Sequence, residues 1–124
     1  MELVANSTNI LVALTSIGLG LFGWLKVEDT LNFIGLRPAD NTGLGKSEVR
    51  AASGAVWVGA GAGALLIFSP VAFLMLGFVY VGAAIGRATA IIADHARSSK
   101  PLMFLAFEVV CAGLLLVVNI PAAL

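Results

Sequence analysis

Four stretches of this chain are long and apolar enough to cross a bilayer, which takes about 20 residues each. They run from Ser7 to Leu25, Val49 to Phe68, Val71 to Ala93 and Leu102 to Leu124. All seven Lys and Arg residues fall on one side of this pattern. Lys26, Arg37, Lys46 and Arg50 belong to the first connection, and Arg87, Arg97 and Lys100 cluster around the third. The Ser69-Pro70 turn and both chain ends carry no basic residue. Short loops rich in Lys and Arg stay in the cytoplasm. The expected fold is therefore an all-α integral membrane four-helix bundle, with both termini outside and two charged cytoplasmic loops.

Composition supports one small membrane domain over residues 1–124. Hydrophobic residues make up 60% of the chain and charged residues only 11%, about half of what a soluble domain carries. What remains outside the spans is too little to hide a soluble catalytic or nucleic-acid-binding domain. Seven acids balance seven bases, so nothing favours a polyanionic partner. Met1-Glu2-Leu3 lacks the basic start of a secretory leader, and the apolar run after it is long, so the first span is expected to be retained. The single Cys111 excludes an intrachain disulfide or a Cys-based metal site.

Between the first two spans, Val27, Leu31 and Ile34 share one helical face and Gly35 supplies a stop. Residues 28–34 are expected to form a short interfacial helix with those three side chains inward. Arg37-Pro38-Ala39-Asp40-Asn41-Thr42-Gly43 reads as a polar turn, with Ser47 as N-cap of the second span. That span is rich in Gly and Ala, and the third carries Gly82-Ala83-Ala84-Ile85-Gly86, a small-xxx-small motif. These two faces are expected to touch, across an antiparallel hairpin closed at Ser69-Pro70. Ser99 is the expected cap of the last span.

Two charges fall inside the spans. Arg87 lies about 10 Å from Asp94 along its helix, and Glu108 about the same distance beyond Pro101 in its own. Equal depths meet on adjacent antiparallel helices. Each ion alone costs about 3 kcal/mol or more in the hydrocarbon, so an Arg87 and Glu108 pair is expected. Glu48 and Arg50 sit nearer the inner surface, with Arg50 long enough to reach toward the same region. This set of four charges is the candidate polar cluster. Tyr80 shares the Arg87 face, Phe104 and Cys111 share the Glu108 face, and Trp57 stands at helical spacing from Arg50. Together they are the candidate pocket lining, apolar above and charged below, a shape suited to an amphiphile.

The favoured reading of these charges is a buried polar clasp that sets helix register, since buried ions are paired by necessity, and the functional reading is a head-group or ion site opening toward the cytoplasm. Other features carry less. His95, the only histidine, reads as a loop residue, and a bis-histidine haem is impossible within one chain. The Gly59 to Gly63 run follows no strand and is no phosphate loop. Cys111 reads as a small core residue. Nothing in the sequence points to a hydrolytic arrangement, a metal or another cofactor.

Glu48-x-Arg50 opening the second span, Gly86-Arg87 late in the third, Asp94 at its end and Glu108 in the fourth resemble a family of small bacterial four-span membrane proteins known as a domain of unknown function. The layout is more loosely similar to the DoxX-like four-helix membrane proteins. The resemblance implies that Glu48, Arg50, Arg87 and Glu108 are the family's polar centre, and it implies no reaction. The loop Asp94-His95-Ala96-Arg97 departs from the small Gly-containing turn the resemblance leads one to expect. The expected function is that of a non-enzymatic multi-pass protein of a bacterial inner membrane, an accessory or scaffolding subunit of a larger complex or a homo-oligomer, with membrane lipids as its surroundings. The alternative is binding or transport of a small amphiphile or quinone-like molecule.

Overall fold

The computed structural model describes residues 1–124. Five helices follow one another with no strand: α1 (Glu2–Leu25), α2 (Val27–Ile34), α3 (Leu44–Ile67), α4 (Pro70–Ala93) and α5 (Ser99–Ala123). Four of them, α1, α3, α4 and α5, have 24 or 25 residues and are long and apolar enough to span a membrane. At 1.5 Å per residue each is about 36 Å long, enough to cross a core of about 30 Å with a turn to spare.

The chain divides into two compact units, one of Met1–Val12 with Ile67–Leu124, the other of Ala13–Leu66. In the first, α4 and α5 lie antiparallel. Gly77 faces Leu115 and Arg87 meets Glu108, so partners on α5 fall in number as those on α4 rise, and Tyr80 stacks edge-on against Phe107 at 6.0 Å. Phe73, Leu76, Tyr80 and Leu115 are its most buried apolar side chains. The start of α1 joins this unit through Asn9, whose amide pairs with that of Asn119.

In the second unit the later part of α1 crosses α3 at backbone distance. A Cβ on Gly20 would sit 2.7 Å from the Gly54 carbonyl oxygen, and one on Gly54 would sit 2.5 Å from the Trp24 nitrogen. Only glycine permits that approach. The expectation that Gly82 and Gly86 mark the close crossing is wrong: neither would meet any atom within 4 Å, and both are exposed. A small-xxx-small motif shows that a helix can be approached, while its facing is decided by which other side chains need burial. On α4 that is the Phe73, Leu76, Gly77 and Tyr80 face.

Helix ends follow local chemistry. The expected helix over 28–34 forms as α2, with Val27 and Leu31 buried against Val49 and Ile34 packed at the margin. Gly35 ends it at φ 76°, where its N–H and that of Leu36 both reach the Leu31 carbonyl. Ser47 is not the cap of α3. The Asp40 to Thr42 turn leads into Gly43 at φ 84°, and the helix starts at Leu44, a turn earlier than expected. Ser98 rather than Ser99 occupies the N-cap of α5, with Ser99 already helical. At Ser69 the hydroxyl accepts the Ala72 N–H at 3.2 Å, and Pro70 supplies the first helical residue, where its missing N–H costs nothing.

Candidate functional site

The charged centre lies on α4 and α5. Arg87 donates from Nη2 to Glu108 Oε1 at 2.6 Å and from Nε to Oε2 at 3.3 Å, a two-pronged pairing. The guanidinium carbon also stands 4.9 Å from the Phe104 ring centroid, so an aromatic face lies along the cation. Burial is unequal. The Glu108 side chain is 8% exposed and that of Arg87 is 35% exposed. A carboxylate so enclosed needs its cation, whereas the cation is only partly enclosed.

The expected pair thus forms, at the depth equality of antiparallel helices that suggested it. Beyond it, Tyr80 is 1% exposed, its ring set against Phe107, and its hydroxyl is in hydrogen-bond contact with the Cys111 thiol. Of the residues expected to line a pocket, Tyr80, Phe104 and Cys111 belong to this unit, Phe104 against Arg87 and Cys111 beside Tyr80.

The other candidates, Glu48, Arg50 and Trp57, stand on α3 in the second unit, and each has its own local setting. Arg50 donates to the backbone carbonyl of Trp24. That carbonyl is among the last four of α1, which lack partners within their own helix, and a cation there also meets the negative end of the helix dipole. Trp57 donates its indole N–H to the Ala52 carbonyl at 3.1 Å. Glu48 is exposed.

Between Arg50 and Trp57 the helix widens to a π turn over Ala51–Ala55. Sequence reading missed it, although five consecutive small residues next to a glycine-rich crossing are where a helix can widen without side-chain obstruction. It also missed the ion pair of Lys46 with Glu28, which links the start of α3 to α2. An open cleft of about 320 Å³ lies beside that pair, bordered by Pro38, Asp40, Asn41 and Gly43. The Thr30 hydroxyl adds a further tie, donating to the Lys26 carbonyl at 2.8 Å and approaching that of Phe22 at 3.2 Å. No group of three His, Cys, Asp or Glu side chains gathers as a metal site.

The family profile described as domain of unknown function (DUF4345) matches residues 5–119, and the chain belongs to that family. The match supports the resemblance drawn from Glu48, Arg50, Arg87, Asp94 and Glu108, and carries nothing about DoxX-like proteins. Neither the curated proteins nor the solved structures contain a significant match.

Proposed function

We propose that this member of an uncharacterised membrane family is a non-enzymatic accessory or scaffolding subunit, held in a bacterial inner membrane with its two charged loops toward the cytoplasm. The observation that carries the reading is a contrast among glycines. Gly20, Gly23 and Gly54 are filled by the backbone of a crossing helix, while Gly82 and Gly86, one turn apart on α4, open outward with nothing within 4 Å. Ile85 beside them is 62% exposed. Lipid accounts for exposed leucine and isoleucine, so apolar exposure alone says little. A pair of glycines one turn apart, by contrast, lets a helix of another chain come as near as α1 and α3 do.

Extraction in mild detergent followed by native mass measurement tests this. Wild type should travel in a larger complex, and Gly82→Leu with Gly86→Leu should release it while leaving the thermal stability of the chain unchanged. A wild-type protein that is monomeric throughout overturns the reading.

A second reading is favoured by the unequal burial of the ion pair: binding of a small amphiphile, with its polar end at Arg87 and Glu108 and its apolar part along Phe104. Here the same mass measurement should find a small lipidic molecule retained by the chain.

A further inference from the structure

A guanidinium carries five N–H donors in a planar fork. Glu108 takes two of Arg87's, the Nε–H and one on Nη2, and the structure gives the other three no protein acceptor. Phe104 covers a face of the group and offers no strong acceptor. The side chain is 35% exposed, so Glu108 and Phe104 do not enclose the group completely. Its position, about 10 Å along α4 from Asp94, lies within the span rather than in the loop. Water is scarce at that depth, and unsatisfied donors there are costly. An oxygen from outside the chain that met those donors would satisfy them.

From these donors we infer that Arg87 is a receptor for an uncharged carbonyl oxygen, carried by a lipid ester or by a free lipid-soluble ketone. This rests on the second reading of the pair as an amphiphile site, and names the chemistry of the polar end. Charge decides between carbonyl and anion. Glu108, on the opposite edge of the same guanidinium, cancels much of the attraction a phosphate or carboxylate would feel. The dehydration of such an ion in the bilayer is not reduced to match. A carbonyl surrenders little hydration and gains hydrogen bonds to a charged donor, which are the stronger kind.

The test uses the full chain in nanodiscs. In discs of diether phosphatidylcholine, which has no ester carbonyl, a long-chain alkyl ketone labelled with carbon-13 at the carbonyl is titrated in, and its infrared carbonyl band is followed. A saturable, red-shifted component is expected. Arg87→Gln with Glu108→Gln, which removes both charges together and keeps the side chains polar, should weaken that binding by roughly tenfold or more, the size of one hydrogen bond to a charged donor. In diester discs without ketone, the native lipid carbonyls should raise the thermal midpoint of wild type above its value in diether discs. Ketone binding without this lipid effect assigns the site to a free ligand, and the lipid effect without ketone binding assigns it to the bilayer. If dodecyl phosphate saturates wild type while the ketone does not, the carbonyl inference falls and the amphiphile reading stands. If neither compound binds and the two lipids are indistinguishable, both fall. Since the ketone, lipid and phosphate measurements are made on wild type, failure of the double variant to fold leaves the test intact.

Discussion

Asn9 and Asn119 exchange amide hydrogen bonds in both directions, at 2.9 and 2.7 Å, and the Asn119 amide also donates to the Leu115 carbonyl at 2.8 Å. Both residues are nearly fully buried. The pair fixes the start of α1 against the end of α5, since any slip along either helix would leave two amides without partners. It is a registration device in a unit whose other contacts are mostly apolar and tolerant of sliding.

Asn9→Leu should therefore destabilise the protein in detergent by about 1 kcal/mol, a typical size for interhelical hydrogen bonds in membranes. Adding Asn119→Leu should cost less than a second loss of that size, because the stranded amide is removed as well. Strict additivity in thermal or denaturant unfolding would show that the two amides do not act as a pair.

Glycines should divide by position. A Cβ on Gly23 would collide with the Ser53 carbonyl, and one on Gly20 would lie 2.7 Å from the Val58 nitrogen, in both cases against backbone that cannot turn aside. Gly23→Ala should force α1 and α3 apart and lower the unfolding midpoint clearly, whereas Gly82→Ala, opening onto free space, should leave it unchanged or raise it slightly through better helix propensity. Equal effects at the two sites would mean that the crossing is elsewhere.

The spans were legible because hydrophobic length is dictated by the bilayer, and no other arrangement of this chain satisfies four such runs. The Arg87 and Glu108 pair was legible for a related reason: two ions at one depth have few alternatives to each other. Facing was not legible. Gly20, Gly23, Gly82 and Gly86 are alike as letters, and which of them meets another helix depends on the large side chains around the helix, which nearly uniform hydrophobicity does not rank. The start of α3 was misplaced because Ser47 is a good cap by type, while the left-handed backbone of Gly43 that starts the helix leaves only a glycine as its sign. Reach alone makes Arg50 a candidate for the charged centre. The nearer demand on it, an unpartnered carbonyl at the end of α1, becomes visible only when α1 and α3 are seen to cross.

Thr42 donates its hydroxyl at 2.7 Å and its backbone N–H at 3.0 Å to one oxygen of Asp40. These bonds favour the ionised form and hold the carboxyl below its ordinary value of 3.8. A folded value below the unfolded one means that the ordering of this turn is fully present above 3.8 and is lost as pH falls through the lower folded value. Thr42→Val should move the Asp40 titration part of the way back up, since the N–H remains. Carbon-detected NMR of the Asp40 carboxyl reads this directly, and a titration unmoved by the substitution would detach Thr42 from the effect.

The proposed orientation places residues 37–47 and 94–100 in the cytoplasm, on the distribution of all seven basic residues. Asn41 and Ser98 are exposed and lie outside the spans. With Cys111→Ala as background, Asn41→Cys and Ser98→Cys should both resist a membrane-impermeant thiol reagent in intact cells and react after permeabilisation. Labelling of either in intact cells overturns the proposed orientation.

The ion pair makes the sharpest energetic prediction. With Glu108 8% exposed and held by two bonds, Arg87→Ala leaves an enclosed carboxylate without its cation, which should cost about 3 kcal/mol or more and depress yield. Glu108→Ala should cost less, because Arg87 is 35% exposed and its long side chain can turn its charge toward the interface. Arg87→Ala with Glu108→Ala should recover part of the larger loss, since no stranded ion remains. The asymmetry between the single substitutions is the informative part. Equal losses would mean that the partial exposure of Arg87 gives it no freedom the carboxylate lacks. A double variant as unstable as the sum of the two would mean that the residues hold the helices separately, not as a pair.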